Sequence, residues 1–259
     1  MGFIYWSAIS AVGLFLGMLL CAELGRRIGL ARLAQDPDGF AKGSGPVEAA
    51  ALGLLGLLLA FTFSGAASRF EARRELIVAE ANAIGTAYLR VDLLPSDAQP
   101  EVRELFRRYL DARVDAYRHT ANVLVMEVRL SEADRWQGQL WAKAVAASAR
   151  SEMPAQTAML LLPALNEMID ISTTRAAAMR NHPPLAIFFL LAGLSLVSSL
   201  LVGYGMCGAR ERNWFYVLLV TTTISLTFYL ILDMEYPRFG LLRVDAADQA
   251  LIELRGHLR

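Results

Sequence analysis

Histidine and cysteine are scarce, with three and two in 259 residues. Cys21 and Cys207 each stand at the end of an apolar run and form no Cys-x-x-Cys pair, which leaves no disulfide framework. His119, His182 and His257 are too far apart in sequence to suggest a ligand set, so neither a metal nor a cofactor is expected. There is no phosphate-binding Gly-x-x-x-x-Gly-Lys-Ser/Thr loop, no Gly-x-Ser-x-Gly elbow and no His-Glu-x-x-His helix, and an enzyme is not expected. Net charge is also lacking: 25 Lys+Arg balance 25 Asp+Glu, so no global attraction to nucleic acid exists. Charged residues make up 19%, below the ~25% usual in soluble domains.

What the chain has instead is apolar sequence in four long runs, with 55% hydrophobic residues and a mean hydropathy of +0.39. A hydrocarbon core ~30 Å thick needs roughly 20 helical residues, and each run supplies about that many. The expectation is an all-α, multi-pass membrane protein. The first run, Phe3–Leu24, follows an N-terminal stretch without Lys or Arg and is longer than a signal-peptide core, so it reads as a retained helix. Gly13-x-x-x-Gly17 within it is a small-residue pair suited to close helix packing. Residues 25–47, rich in Gly and Pro towards their end, read as a polar connector.

The second helix starts near Val47 and nothing stops it at Arg69. Phe70, Ile77, Ile84 and Val91 recur every seven residues, with Ala81 and Tyr88 on the same face, a coiled-coil-like stripe that carries the helix into water as far as Leu94-Pro95. Further helices follow, one starting at Ser131 as a cap and ending near Glu152, and one over about 155–181 kinked at Pro163. His182-Pro183-Pro184 marks re-entry into the membrane. The third and fourth membrane helices, Leu185–Cys207 and Trp214–Leu232, form a tight hairpin, and a short amphipathic helix ends the tail. The expected organisation is 1–69 for the first two membrane helices, 70–184 for a helical cytoplasmic domain, 185–234 for the hairpin and 235–259 for the tail.

Ionisable residues near the bilayer are Glu23, Glu48 and Asp233, each read as an interfacial helix end. The membrane-helix Ser and Thr residues are read as bonding to helix carbonyls. Basic residues flank both sides of the membrane about equally, so charge does not set the orientation.

The second helix carries the most specific signal. Leu52-Gly53-Leu54-Leu55-Gly56-Leu57-Leu58-Leu59-Ala60-Phe61, with Arg69-Phe70-Glu71-Ala72-Arg73 at its exit, resembles the second membrane helix of the bestrophin channels, where a Phe precedes the exit Arg by eight residues. Glu235-Tyr236-Pro237-Arg238-Phe239-Gly240, followed by Asp245, Asp248 and Leu251, is similar to that family's Glu-x-Pro-Phe-Gly segment, with Arg238 inserted. Over nearly its whole length the chain resembles the bacterial bestrophin-like domain family. The resemblance implies a homo-oligomer, a pentamer, in the bacterial inner membrane with cytoplasmic termini, passing ions along an axis lined by the second helix. Its pore neck would be Gly53, Leu57 and Phe61, and its exit Ser64, Ser68 and Arg69. Gly53 stands where the family has a bulky residue, so the apolar neck would be two rings tall. Calcium, which eukaryotic relatives hold with an acidic cluster after the Pro-Phe-Gly segment, finds only Asp245 and Asp248 here. The competing class of function is a non-conducting scaffold or sensor that binds a partner through its helical domain.

Overall fold

The structure is a computed structural model that describes residues 2–35, 44–118, 123–208, 214–238 and 240–258. No strand occurs among these residues. His119, Phe239 and residues 209–213 of the hairpin connection lie outside them. The chain divides into two compact units, Met1–Ser68 with His182–Tyr236, and Arg69–Asn181 with Pro237–Arg259.

The first unit contains α1 (Gly2–Gln35), the first half of α2 (Ser44–Leu89), α6 (Leu185–Gly205) and α7 (Trp214–Glu235). Four stretches are long and apolar enough to cross a membrane: Trp6–Gln35, Gly45–Leu93, Ala155–Gly205, where the apolar residues are those of α6, and Trp214–Glu235. α1 packs mainly on α6 and α7. It runs eleven residues beyond Leu24, so the first part of the expected connector is helical. The physical reason lies in its glycines. Gly25 and Gly29 do not break α1 but bring it against α6: a methyl group on Gly25 would stand 1.9 Å from the Leu200 carbonyl oxygen, and one on Gly29 2.8 Å from that of Tyr204. Across the contact, a methyl on Gly203 would stand 1.9 Å from the Ala22 carbonyl oxygen. Backbones this close gain van der Waals contact that lipid cannot replace. Gly17 is part of the same seam, facing Leu196, whereas Gly13 meets no atom within 4 Å and is not a packing contact.

Several hydroxyls in this unit find the expected partners, although the buried Ser198 hydroxyl has none among the described residues. Ser195 donates to the Leu191 carbonyl at 2.7 Å and Thr221 to that of Val217 at 2.8 Å, while Ser199 reaches across to Met18 on α1 at 2.6 Å. α7 continues past Leu232 to Glu235, which places Asp233 inside the helix; it is only 1% exposed and accepts a hydrogen bond from Tyr229 at 3.3 Å. Asp233 thus stays in the last turn of α7, whereas Glu23, expected at a helix end, lies within α1.

The second unit contains the rest of α2, a 3₁₀ turn (Arg90–Leu93), α3 (Gln99–Arg118), α4 (Val123–Ser148), α5 (Ala155–Arg180) and α8 (Asp245–His257). The heptad stripe is buried: Ile77, Ala81, Ile84, Tyr88 and Val91 form one wall of a core completed by Phe106 and Leu110 of α3, Leu161, Leu165 and Met168 of α5, and Leu251 of α8. Tyr88 meets Phe106 edge-on at 5.6 Å. The stripe thus serves a globular helical core rather than a two-stranded coil. Ser131 is no cap, because α4 runs through it from Val123, and Glu132 pairs with Arg129 along the helix at 2.7 Å. Pro163 lies inside α5 without ending it; close to where the proline deprives the helix of a donor, Arg90 donates to the Leu160 carbonyl. At the other end of α5, Arg73 donates to the carbonyls of Ala178 (3.1 Å) and Asn181 (2.9 Å), satisfying acceptors that a helix terminus leaves open.

Candidate functional site

The α2 segment 44–68 has two unlike faces. Leu55, Leu59 and Ala66 are buried in the first unit, Leu55 to 1% exposure. Opposite them, Gly53, Leu57, Phe61, Ser64 and Ser68 are all exposed, Leu57 to 52% and Phe61 to 67%. Steps of four residues advance 40° around a helix, and steps of three or four keep all five positions on one face. From Gly53 to Phe61 the face rises about 12 Å. Gly53 is open, with no atom within 4 Å of the place a Cβ would occupy. Thr62 is turned away from this surface chemistry and donates to the Leu58 carbonyl at 2.7 Å. No charged residue lies between Glu48 and Arg69. Arg69 is half-buried, unlike the serines that precede it. Of the sequence-derived residues, then, Gly53, Leu57, Phe61, Ser64 and Ser68 share one uncovered face, and Arg69 follows at its end.

The tail segment lies in both units. Glu235 is buried in the first, where His182 stands 3.6 Å from it and stacks on Tyr236 at a centroid separation of 4.5 Å. In the second unit, Arg238 and Asp248 belong to a buried charge cluster that sequence spacing does not reveal. Glu80 of α2 is fully buried; one carboxylate oxygen accepts from Arg113 at 2.7 Å and the other from Arg175. Arg175 also donates to Asp248 at 3.0 Å, and Arg238 donates to the same carboxylate at 2.9 and 3.2 Å. The Tyr117 ring lies beneath all three guanidiniums, 3.8 Å from Arg175, 4.4 Å from Arg238 and 5.2 Å from Arg113. Three cations face two carboxylates, and the negative face of the ring offsets part of the excess. Burial alone would depress the Arg113 pKa, but Glu80 and the neighbouring tyrosines more than compensate and hold it above its ordinary value. Burial pushes the Tyr109 phenol above its usual range.

The only sequence hint of this cluster is that Glu80 falls between Ile77 and Ile84 on the apolar stripe, a position that buries a charge. Asp248, the acidic residue of interest for a cation, is already held by two arginines. Among the described residues no group of three or more His, Cys, Asp or Glu side chains is placed to hold a metal ion.

The model of the Bestrophin-like domain matches residues 12–248 of the sequence. The chain belongs to the bestrophin-like family. Its fold is that of a bacterial bestrophin homologue from Klebsiella pneumoniae: one structure of that protein is 18% identical, with a TM-score of 0.64 over 93% of this chain and 98% of the other. A point variant of the homologue gives 0.66 at 17% identity over 95% and 98% of the two chains. No curated protein matches the sequence. Bestrophin-like membership and the apolar helices make this a membrane protein.

Proposed function

We propose that this bestrophin-like chain assembles with copies of itself, as a pentamer, into an ion channel whose axis is lined by α2. The observation that carries this reading is the two-faced character of α2: the face bearing Leu57 and Phe61 is uncovered in the single chain, while the opposite face is packed. Family membership supports it. In the assembly, Leu57 and Phe61 form two stacked apolar rings, and Gly53, with no side chain, leaves the axis wide just before them. A short apolar constriction controls ions by dewetting, because an ion cannot shed its water for leucine and phenylalanine side chains. Beyond the neck, Ser64 and Ser68 offer hydroxyls to a rehydrating ion, and Arg69 sets a positive charge at the exit. The setting is the bacterial inner membrane with cytoplasmic termini.

Flux of monovalent ions from proteoliposomes tests the reading. Phe61→Ala removes the bulkier of the two side chains and raises flux above that of the wild-type protein. Zero flux for both proteins, together with a monomer in detergent, would contradict it and favour a scaffold or sensor working through the helical domain.

A further inference from the structure

A second feature of the membrane unit is independent of the α2 face. An apolar cavity of about 580 Å³ opens between the first half of α1 (Trp6 to Gly17), the first half of α6 (Leu185 to Leu196) and the end of α7 with the residue that follows it (Phe228 to Tyr236). Its volume falls in the ~300–1,000 Å³ range of sites that enclose small molecules. It exists because side chains are missing. Gly13 faces it with nothing within 4 Å of a notional Cβ, Gly17 and Ala192 add little bulk, and the walls are Leu14, Phe188 and Leu196. Phe188 is braced edge-on against Phe228 at 6.3 Å, so the pocket wall is set by packing within the unit.

Three properties identify the occupant. The first is length. Trp6 to Gly17 spans about 16 Å along the α1 axis at 1.5 Å per residue. That matches one leaflet, about 15 Å or half of a ~30 Å hydrocarbon core. The second is polarity at one end alone. Trp6, Ser7, Ser10 and Tyr236 stand at the end where α1 and α6 begin and α7 finishes, and Tyr236 is backed by the stacked His182 ring. Indole and phenol rings at helix ends suit the head-group level, while the Gly17 and Leu196 end is wholly apolar. The third is hostility to water. A buried water needs two to four polar partners, and the Ser10 O–H is already donated to the Trp6 carbonyl at 2.7 Å, which leaves that hydroxyl as an acceptor only.

We infer that this cavity holds one acyl chain of a membrane phospholipid, its head group at the Trp6–Tyr236 rim and its tail running towards Gly17. The site does not involve Leu57 or Phe61, so it stands or falls separately from the channel.

The test uses the full chain in vesicles of phosphatidylethanolamine and phosphatidylglycerol, doped with a phospholipid that carries a photoreactive diazirine midway along one acyl chain. After irradiation, adducts are mapped by mass spectrometry. They should concentrate several-fold on residues 10–17 and 188–196 relative to Leu20 and Leu24, which are exposed on the same helix but outside the cavity. Gly13→Phe places a ring in the cavity; it should abolish that enrichment, leave labelling at Leu20 and Leu24 unchanged, and not lower the melting temperature in detergent. Even labelling along α1 and α6, or an enrichment that Gly13→Phe leaves intact, would overturn the assignment. So would efficient cross-linking between chains through a cysteine at Phe189 in place of lipid adducts, since a second copy would then fill the cavity.

Discussion

The Arg175 side chain is almost fully buried, and three interactions determine what it can tolerate: Glu80, Asp248 and the Tyr117 ring. Removing one member of a buried ion pair strands the other, at a cost of about 3–5 kcal/mol. Glu80→Gln leaves three arginines around one carboxylate and should therefore lower the melting temperature in detergent sharply, by more than Glu132→Gln, whose pair with Arg129 lies in solvent. Equal effects would contradict the described cluster. The exposed pair Asp97–Arg150 gives the opposite case. The hydrogen bond from Arg150 holds the Asp97 carboxyl below its ordinary value of 3.8. Its contribution to stability is present above the unfolded-state value and lost as pH falls through the lower folded one. Asp97→Asn should lower the melting temperature slightly and by a constant amount above about pH 5 and flatten the acid limb below about pH 4; an effect that varies between pH 7 and 9 would contradict this. At this scale the sequence speaks unevenly. That Leu57 and Phe61 share one face of α2 is legible from helical spacing, whereas the charge cluster is not. Its members come from α2, α3, α5 and α8 and from the segment before α8, and no local spacing links them.

At the level of elements, length and hydropathy locate the membrane helices well, because hydrocarbon imposes both. The heptad stripe of α2 likewise foretells a buried face. Helix ends are less readable: Gly25 and Gly29 look like breakers in sequence but are the contact points of α1 with α6. Glu23 looks terminal because hydropathy falls after Leu24, yet backbone bonding carries α1 on to Gln35. The seam predicts a contrast between glycines. Gly203→Ala drives a methyl group into the Ala22 carbonyl and should cost about 1–3 kcal/mol or more as overpacking, read as a lower melting temperature in detergent. Gly13→Ala meets nothing and should leave stability unchanged or slightly raised, through better helix propensity. Reversal of this order would mean that the α1–α6 approach is not as described.

For the whole molecule, one face of α2 is uncovered by the described residues of its own unit, and the proposed channel assigns that face to water at the centre of an assembly. Lipid is the competing environment for Leu57, and the two are chemically distinguishable. Leu57→Cys, introduced with Cys21 and Cys207 replaced by serine and reconstituted in liposomes, can be challenged with a charged, membrane-impermeant methanethiosulfonate reagent. A water-filled axis lined by α2 leads to modification at Leu57→Cys, with ion flux altered as the charged adduct enters the neck. Reaction only with membrane-soluble maleimides, and none with the charged reagent, would contradict it.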